Sequence, residues 1–319
     1  MYLSFTDSIK KLKINKNNSV FIILILILII SGLYRPVFLR FDNLFNMLRQ
    51  ASALGVLTVG QLFVIVGGGV DLSVAATMQV GITIFTYAYN LYGLWGLVIG
   101  IILAFTLGIS VGVINGIIVT KYNVQPFLTT LFMGSIITGI RMSVTGIKPA
   151  GTIPEMIRYI GRDRTGMIPN AVIVFILVVV VCYVVLNKSV YGRNLIAVGT
   201  NKIAAKFSGI NTNSTIIKSY AVCGFLSILA SMVLAGYIGF ADQWIGAGYE
   251  FKCLIAAVIG GNYLGGGRGS IIGVIGGTLI MTIVINFVIL LGLSAPFQHV
   301  VEGLVLILAL LMVFFTRNK

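Results

Sequence analysis

Long apolar stretches separated by short polar segments dominate this chain. Each stretch approaches the roughly 20 residues that an α-helix needs to cross a bilayer. We therefore predict an all-α polytopic membrane protein with about ten transmembrane helices, some of them short or broken. The predicted spans lie near residues 20–34, 50–68, 72–90, 94–119, 126–145, 168–187, 216–239, 250–265, 270–292 and 297–315. The first and the eighth are short, which leaves open a tilted or re-entrant segment and a total of eight or nine spans.

The composition supports an integral membrane protein. Hydrophobic residues make up 58% of the 319 residues and charged residues only 9%, whereas soluble domains carry about 25% charged residues. The formal net charge of +14 does not indicate nucleic acid. The basic residues lie mainly at span ends and in loops, where they orient the spans and contact anionic lipid. We expect membrane lipid, and no nucleic acid, among the partners.

The distribution of charge orients the spans. An excess of Lys and Arg marks cytoplasmic segments, and four lysines before the first span place the N-terminus there. No small-residue cleavage site follows before Arg35, so we expect a retained first span and not a signal peptide. With ten spans the C-terminus is also cytoplasmic. Most acidic residues then lie outside, namely Asp42, Glu155, Asp163, Asp242 and Glu250.

One long polar segment interrupts the apolar pattern, from Leu186 to Lys218. It contains no acidic residue, and its basic residues are Lys188, Arg193, Lys202, Lys206 and Lys218. The stretch Ile203–Phe207 favours a helix, and Gly199 and Gly209 on either side of it favour helix ends. We predict a short helix at the cytoplasmic face that docks a soluble partner.

A glycine-rich segment, Gly67–Ser73, joins the second and third spans. Its three glycines indicate backbone that leaves helical geometry. Asp71 and Ser73 are favourable N-caps for the helix that follows. An ionisable side chain beside apolar spans is also a functional candidate, but the capping role accounts for Asp71 without any transport chemistry.

A second glycine-rich segment, Gly260–Ser270, invites comparison with nucleotide-binding loops. It lacks the lysine and hydroxyl spacing of a phosphate-binding loop, so we predict a tight cytoplasmic turn between two spans. Glycines also recur at four-residue spacing in 108–116 and in 269–277. Such stripes let helices approach closely in lipid, and we predict that they serve helix packing within the subunit.

The sequence lacks the residues of an enzyme. It contains a single histidine, His299, its acidic residues are scattered, and its three cysteines have no metal-ligand spacing. We therefore expect no catalytic residue and no metal site. Proton- or sodium-coupled carriers hold carboxylates in mid-span, which this pattern lacks. The polar side chains inside spans suit either a path for a neutral, hydroxyl-rich solute or hydrogen bonds between helices, and they are Gln61, Gln79, Asn115, Thr129, Thr130 and Asn286.

Three segments, in order, resemble the permeases of the ribose-type branch of bacterial ABC importers. Gly68–Val74 resembles the GGIDLSVG signature, Tyr191–Ile210 resembles the GR…ALGGN…AARLSGI loop, and Gly246–Gly269 resembles GxGYEL…IAAVVLGG…GGxG. The resemblance covers about residues 45–315. It implies a monosaccharide permease, with a ribose-like pentose favoured, in the bacterial cytoplasmic (inner) membrane. The expected organisation is a basic cytoplasmic N-terminus, 1–19, and a single permease domain, 20–319.

The resemblance also implies partners. Two ABC ATPase subunits would bind ATP and magnesium, an extracytoplasmic sugar-binding protein would deliver the solute, and a second permease would complete a homodimer or heterodimer. No cofactor is implied for this chain itself. The cytoplasmic loop 188–217 would contact the ATPase through Gly199, Asn201, Ala204, Ala205, Ser208 and Gly209. Structural or pathway roles would fall to Asp71, Ser73, Asn115 and Glu250.

The chain departs from the family pattern at two places. Lys202 and Ile203 stand where relatives often carry acidic residues, which makes the coupling helix more basic. Lys252 stands where many relatives carry Asp, which reverses the charge beside the eighth span. The alternative function is an ATP-independent carrier or facilitator for a small neutral solute, and binding of an ATPase to 199–210 distinguishes the two.

Overall fold

The computed structural model describes residues 16–146 and 151–317. The lysines before residue 16, Lys148 and Lys319 lie outside these ranges, as does the side chain of His299. The helices are α1 Lys16–Tyr34, α2 Phe41–Val66, α3 Val74–Lys121, α4 Pro126–Thr145, α5 Glu155–Gly161, α6 Asn170–Lys188, α7 Val190–Thr200, α8 Lys202–Phe207, α9 Thr212–Ile238, α10 Tyr249–Ile259, α11 Ile271–Leu290 and α12 Ala295–Arg317. A 3-10 turn, Pro36–Leu39, follows α1, and an antiparallel hairpin of β1 Arg164–Thr165 and β2 Ile168–Pro169 precedes α6.

Six helices in the described ranges are long and apolar enough to cross a membrane, namely α2, α3, α4, α6, α9 and α11. They contain seven of the predicted spans, because α3 covers two of them. The mostly helical, polytopic architecture is therefore confirmed. The total of ten spans and the cytoplasmic side of both termini stay predictions.

The chain reverses direction within α3, at Gly93. This glycine has a φ of 60°, in the left-handed region that disrupts a helix. Beyond it, Gly100 packs on the backbone of Phe85, where an added β-carbon would lie 2.8 Å from the Phe85 Cα. Near the far ends of the two arms, Asn115 hydrogen-bonds Ser73. The two arms therefore form an antiparallel helical hairpin, as the separate spans 72–90 and 94–119 predict.

Two helices differ in length from the predicted spans. α10 has 11 residues, about 17 Å at 1.5 Å per residue, so it does not reach across a hydrocarbon core of about 30 Å. It ends because Gly261, with a φ of 80°, turns the chain. α2 begins at Phe41, well before the predicted residue 50, because polar side chains in its first turns hide the apolar pattern.

α2 lies at the centre of the bundle. Every residue from Ala51 to Val66 is buried, which agrees with a helix surrounded by protein. The helices α4 and α6 are peripheral, since only 22% and 33% of the residues in their most apolar stretches are buried. Their exposed side chains are largely apolar, as expected for helix faces that contact lipid.

The glycine stripes pack helices together within this chain, as predicted. Gly108 and Gly112 of α3 lie directly against the backbone of α9, so that a β-carbon on either would overlap it. Gly273 and Gly277 of α11 lie in the same way against the end of α10. In lipid, such close approach replaces the hydrophobic driving force between helices.

The short α5 and the β-hairpin form a compact cap at one end of the bundle. Asn170, the first residue of α6, donates to the Tyr159 carbonyl at 2.9 Å and accepts from the Thr165 hydroxyl at 2.7 Å. Its backbone amide donates to the Asp163 carbonyl at 2.9 Å. The hairpin is therefore fixed to the start of α6 through one residue.

Candidate functional site

The Gly67–Ser73 segment is a non-helical break between α2 and α3, inside the bundle, and we call it the break. α2 ends at Val66, and Gly68 has a φ of 85°, a conformation that glycine adopts without strain. Asp71 is 1% exposed. Its carboxylate accepts hydrogen bonds from the Ser73 amide at 2.9 Å and the Ser73 hydroxyl at 2.6 Å. These bonds compensate part of the cost of burying a carboxylate.

Side chains from α2 and α3 hold the break on one side. The Gln61 amide, oriented toward Asp71, donates to the Asp71 carbonyl at 3.0 Å and accepts from the Asp71 amide at 3.1 Å. Asn115 donates to the Ser73 hydroxyl at 2.9 Å. Gln61 therefore bonds to the backbone of the break, and Asn115 bonds to one of its side chains.

Side chains from α4 and α9 hold the break on the other side. The Thr130 hydroxyl accepts from the Leu72 amide at 3.0 Å. The Tyr220 hydroxyl donates to the Val70 carbonyl at 3.4 Å, and Tyr220 is fully buried. Four helices thus satisfy the polar groups that a broken helix exposes, which is how irregular backbone is tolerated at this depth.

Ser73 differs from the capping role that the sequence predicts. It occupies the N-cap position of α3, but its side chain accepts no bond from a backbone amide of that helix. Its hydroxyl donates to Asp71 and accepts from Asn115 instead. Of the two predicted caps, only Asp71 bonds an amide at the helix start, that of Ser73.

The remaining polar side chains inside spans mostly bond across helices. Gln79 accepts from the buried Arg141 guanidinium at 3.3 Å, and Asn286 accepts from Asn43 at 3.3 Å. Thr129 instead donates to a carbonyl of the Gln125 backbone, at 3.1 Å. Each of these residues therefore has a hydrogen-bond partner within the chain.

Three glycines allow the polar segment 186–218 to contact the backbone of the break. Gly199, near the end of α7, lies so close to the Val66 carbonyl and the Gly267 amide that a β-carbon would overlap both. A β-carbon on Gly266 would lie 2.8 Å from the Gly199 oxygen and 2.9 Å from the Gly68 Cα. The Gly267 amide donates to the Val66 carbonyl at 2.9 Å. We call Gly68, Gly199 and Gly266 the glycine junction.

The turn predicted at Gly260–Ser270 is present and supplies part of this junction. Asn262, 1% exposed, donates to the Ala257 carbonyl at 2.8 Å and accepts from the Ser270 amide at 2.6 Å. One side chain therefore closes the turn between α10 and α11. Gly266 and Gly267, with φ of 82° and 75°, carry the backbone past Gly199.

The loop contains one helix that the sequence did not predict, α7. Its Tyr191 ring stacks on Phe63 of α2, with centroids 6.4 Å apart and an interplanar angle of 11°. Burial raises the pKa of Tyr191, so its hydroxyl stays neutral. Tyr191 and Gly199 together fix α7 along the central helix.

The predicted short helix is α8, and its ends are well defined. Asn201 is its N-cap and accepts from the amides of Ile203 and Ala204, each at 3.0 Å, as an N-cap side chain does. Gly209 follows its end with a φ of 80°. Ala205 is only 4% exposed and rests against the protein, so α8 presents its other face outward.

Two apolar side chains project from that outer face. Ile203 is 71% exposed and Phe207 is 89% exposed, and residues four apart lie on the same side of a helix. Both lie on a helix that also carries two exposed lysines, Lys202 and Lys206. The predicted contact set did not include them, although their spacing within a polar loop was a signal in the sequence.

The six predicted coupling residues do not all lie on one surface. Four are exposed, namely Asn201, Ala204, Ser208 and Gly209. The other two, Gly199 and Ala205, pack inward against the bundle. The predicted set therefore divides into an outer surface and an inner attachment.

Glu250, predicted with the Asp71 group, lies elsewhere. It is in the first turn of α10 and half-buried, and no hydrogen bond between described side chains joins it to Asp71 or Ser73. Its neighbour Lys252 forms an ion pair with Glu302 of α12, at 3.0 Å. That pair gives the reversed charge at Lys252 a local partner.

Nothing in the described ranges forms a metal site, since no group of three or more His, Cys, Asp or Glu side chains converges. The Gly67–Ser73 segment, the loop helices and the Gly260–Ser270 turn together form the candidate site. It joins a buried break in the bundle, a close backbone contact and an exposed apolar pair on a basic helix.

Comparison with known proteins gives the family. The family model described as branched-chain amino acid transport system / permease component matches residues 43–310. The chain is similar to the ribose import permease protein RbsC of Escherichia coli K12, with 33% identity over 302 residues and 93% of each chain covered, and to RbsC of Bacillus subtilis 168, with 34% identity over 294 residues, 92% of this chain and 91% of that one.

A third relative is the galactose/methyl galactoside import permease protein MglC of Escherichia coli K12, with 30% identity over 316 residues, 92% of this chain and 93% of that one. No solved structure matches the chain. The family model and these relatives cover the break, the loop helices and the glycine turn alike. The chain belongs to the family of branched-chain amino acid transport system permease components.

Proposed function

We propose that this chain is the membrane-spanning permease subunit of an ATP-driven ABC importer for a monosaccharide, with ribose-like pentoses favoured, in the bacterial cytoplasmic membrane. The observation that carries the proposal is the exposed Ile203–Phe207 pair on α8. A large exposed apolar side chain on a polar segment marks a surface for a partner. Similarity to import permeases for ribose and for galactose supports the substrate class.

The proposal includes the partners that such a subunit needs. Two ATPase subunits bind ATP and magnesium and dock on the loop 188–217 of two permease chains. An extracytoplasmic sugar-binding protein delivers the solute at the opposite face. The chain itself crosses the membrane ten times as one permease domain, 20–319, and the eighth crossing combines the short α10 with the non-helical residues 241–248 before it. Both termini are cytoplasmic, and the chain performs no catalysis.

The glycine junction is the proposed route by which ATPase movement reaches the spans. α8 is joined to α7 by a single residue, Asn201. α7 contacts the central helix at Val66 through Gly199, next to the Asp71 break. Because backbone lies directly on backbone there, a displacement of α7 has no flexible side chain to absorb it. We infer that it moves the end of α2 and the start of α3 relative to each other.

The test is co-purification of the chain with the ABC ATPase that is encoded by a neighbouring gene. Phe207→Ala combined with Ile203→Ala removes the exposed apolar pair, and we expect the ATPase to be lost while the permease stays monodisperse in detergent. Asn213→Ala, an exposed change at the start of α9, is the matched control and should retain the ATPase. If the unaltered chain binds no ATPase and still transports, the facilitator replaces this proposal.

A second variant separates docking from coupling. Gly199→Ala places a β-carbon against Val66 and Gly267, and an overpacked contact of this kind typically costs about 1–3 kcal/mol. We expect the ATPase to remain bound, with sugar uptake reduced. Gly139→Ala, at an exposed position of α4 where a β-carbon meets nothing within 4 Å, should leave uptake unchanged. Equal uptake in both variants contradicts the proposed route.

A further inference from the structure

The end of the bundle opposite the glycine junction has a cleft of its own. Arg49 precedes Val66 by 17 residues in α2, about 25 Å along the helix axis. Two cavities of about 370 and 400 Å³ adjoin there and share Arg49 and Arg164. We call them together the arginine cleft. Its lining residues are Asp42, Asn43, Phe45, Asn46, Arg49, Tyr159, Arg162, Asp163 and Arg164.

Charges of both signs face this cleft without pairing. Its arginines are Arg49, Arg162 and Arg164, and its carboxylates are Asp42 and Asp163. The only ion pair within 4 Å in the described part of the chain is that of Lys252 with Glu302. No carboxylate of the cleft therefore forms an ion pair with one of its arginines, and the exposed groups among them are accessible from outside.

One polar atom in the cleft is both buried and unsatisfied. The Arg49 Nε is shielded from solvent, yet no hydrogen-bond acceptor lies within reach among the described residues. A buried donor without a partner destabilises the protein, because it has lost its hydrogen bond to water. A ligand that brings an acceptor oxygen into the cleft removes that cost.

Each half of the cleft contains one aromatic ring and one carboxylate. One half combines the Phe45 ring with Asp42, and the other combines the Tyr159 ring with Asp163. Each half adds the shared arginines. A neutral sugar presents hydroxyl groups that both donate and accept, together with an apolar ring face. Donors, acceptors and an aromatic ring in one cavity match all three features.

The cleft is also held rigid by its surroundings. Asn43 donates to the Phe38 carbonyl at 2.9 Å, and Asn46 accepts from the Tyr237 hydroxyl at 2.8 Å. On the other wall, the Asn170 contacts fix the hairpin and the end of α5. Prearranged polar groups lose less conformational entropy on binding.

We propose that the arginine cleft is a binding site for a neutral monosaccharide at the outer face of the subunit. The choice of a sugar ligand rests on the proposed function. The cleft offers two carboxylate acceptors as well as three guanidinium donors, and a neutral hydroxylated ligand can bond to both kinds of group, whereas an anion uses only the donors. A weak site here would hold the solute at the entrance after its delivery.

The test is saturation-transfer NMR on the purified full chain in lipid nanodiscs, with D-ribose and D-galactose as probes. We expect a saturable signal for at least one sugar. The double variant Asp42→Asn, Arg164→Gln alters two exposed side chains and should weaken binding at least about tenfold, because a hydrogen bond to a charged group contributes about 1.5 kcal/mol or more. Lys121→Gln, an exposed change at the end of α3 and outside both the cleft and the loop 188–217, is the control and should bind as the unaltered chain does.

Two outcomes overturn the site. One is the absence of a saturable signal from either sugar. The other is a signal that the double variant leaves unchanged, including the case in which that variant instead weakens binding of the extracytoplasmic protein. ATPase co-purification should be the same for both variants, so a failure of the cleft is distinguishable from a failure of the proposed ATP-driven function.

Discussion

Asp71 is the residue on which most of the side-chain hydrogen bonds of the Gly67–Ser73 break converge. Its carboxylate bonds Ser73, and its backbone amide and carbonyl face Gln61. The sequence identified Asp71 from the surrounding glycines and the carboxylate. It could not identify Gln61 or Thr130 as partners, because those contacts depend on which helices lie beside the break.

The variants Asp71→Ala and Asp71→Asn separate the structural role of this residue from a role for its charge. Asp71→Ala leaves the Ser73 amide and hydroxyl without an acceptor, and each unsatisfied buried group costs about 1–3 kcal/mol. We expect clear thermal destabilisation, measured as monodisperse protein left after heating in detergent. Asp71→Asn keeps an acceptor oxygen and should be nearly as stable as the unaltered chain. A stable Asp71→Asn chain without uptake would instead assign a transport role to the charge.

At the scale of single elements, the short helix α8 could be predicted closely. Asn201, Gly209 and the helix-forming residues between them define its ends from local interactions alone. α7 was missed because its helical state depends on packing against α2, where Tyr191 meets Phe63. The limits of α2 were misplaced for a related reason, since its polar first turns line a cleft and not a lipid surface.

Gly209 determines how α8 connects to α9. Its φ of 80° disfavours side chains, and a β-carbon there meets nothing within 4 Å. Gly209→Val therefore disturbs only the backbone, by about 1–2 kcal/mol. We expect ATP hydrolysis to continue while sugar uptake falls, measured in proteoliposomes with the ATPase bound.

The matched variant is Gly209→Asn, because asparagine tolerates the left-handed region better than valine does. It should retain more uptake than Gly209→Val. Normal uptake in Gly209→Val would show that the angle between α8 and α9 does not matter for coupling.

At the scale of the whole molecule, the apolar pattern predicted most of the spans, because lipid requires each one to be long and apolar. The pattern could not show that α10 is short, because the apolar residues after it continue into a turn that Asn262 closes. Nor could it show the arginine cleft, whose walls come from segments more than 100 residues apart. Such a site depends on tertiary packing.

Orientation in the membrane is testable with engineered cysteines. Cys182, Cys223 and Cys253 are all buried, so the native chain should react little with a membrane-impermeant thiol reagent. Met167→Cys, in the 80%-exposed tip of the hairpin, should be labelled in intact cells. Ser208→Cys, exposed beside α8, should be labelled only after permeabilisation. The opposite result would invert the predicted topology.

The Lys252–Glu302 ion pair has a consequence for how the chain is made. Lys252 enters the membrane on α10, which is too short to cross it, while Glu302 arrives only with the last helix. An unpaired charge within the bilayer costs about 2.5–3.5 kcal/mol on insertion scales. Insertion of α10 is therefore less favourable while Lys252 has no counter-ion. We therefore expect final integration of this region to follow synthesis of α12, because a chain truncated before residue 302 leaves Lys252 without that counter-ion.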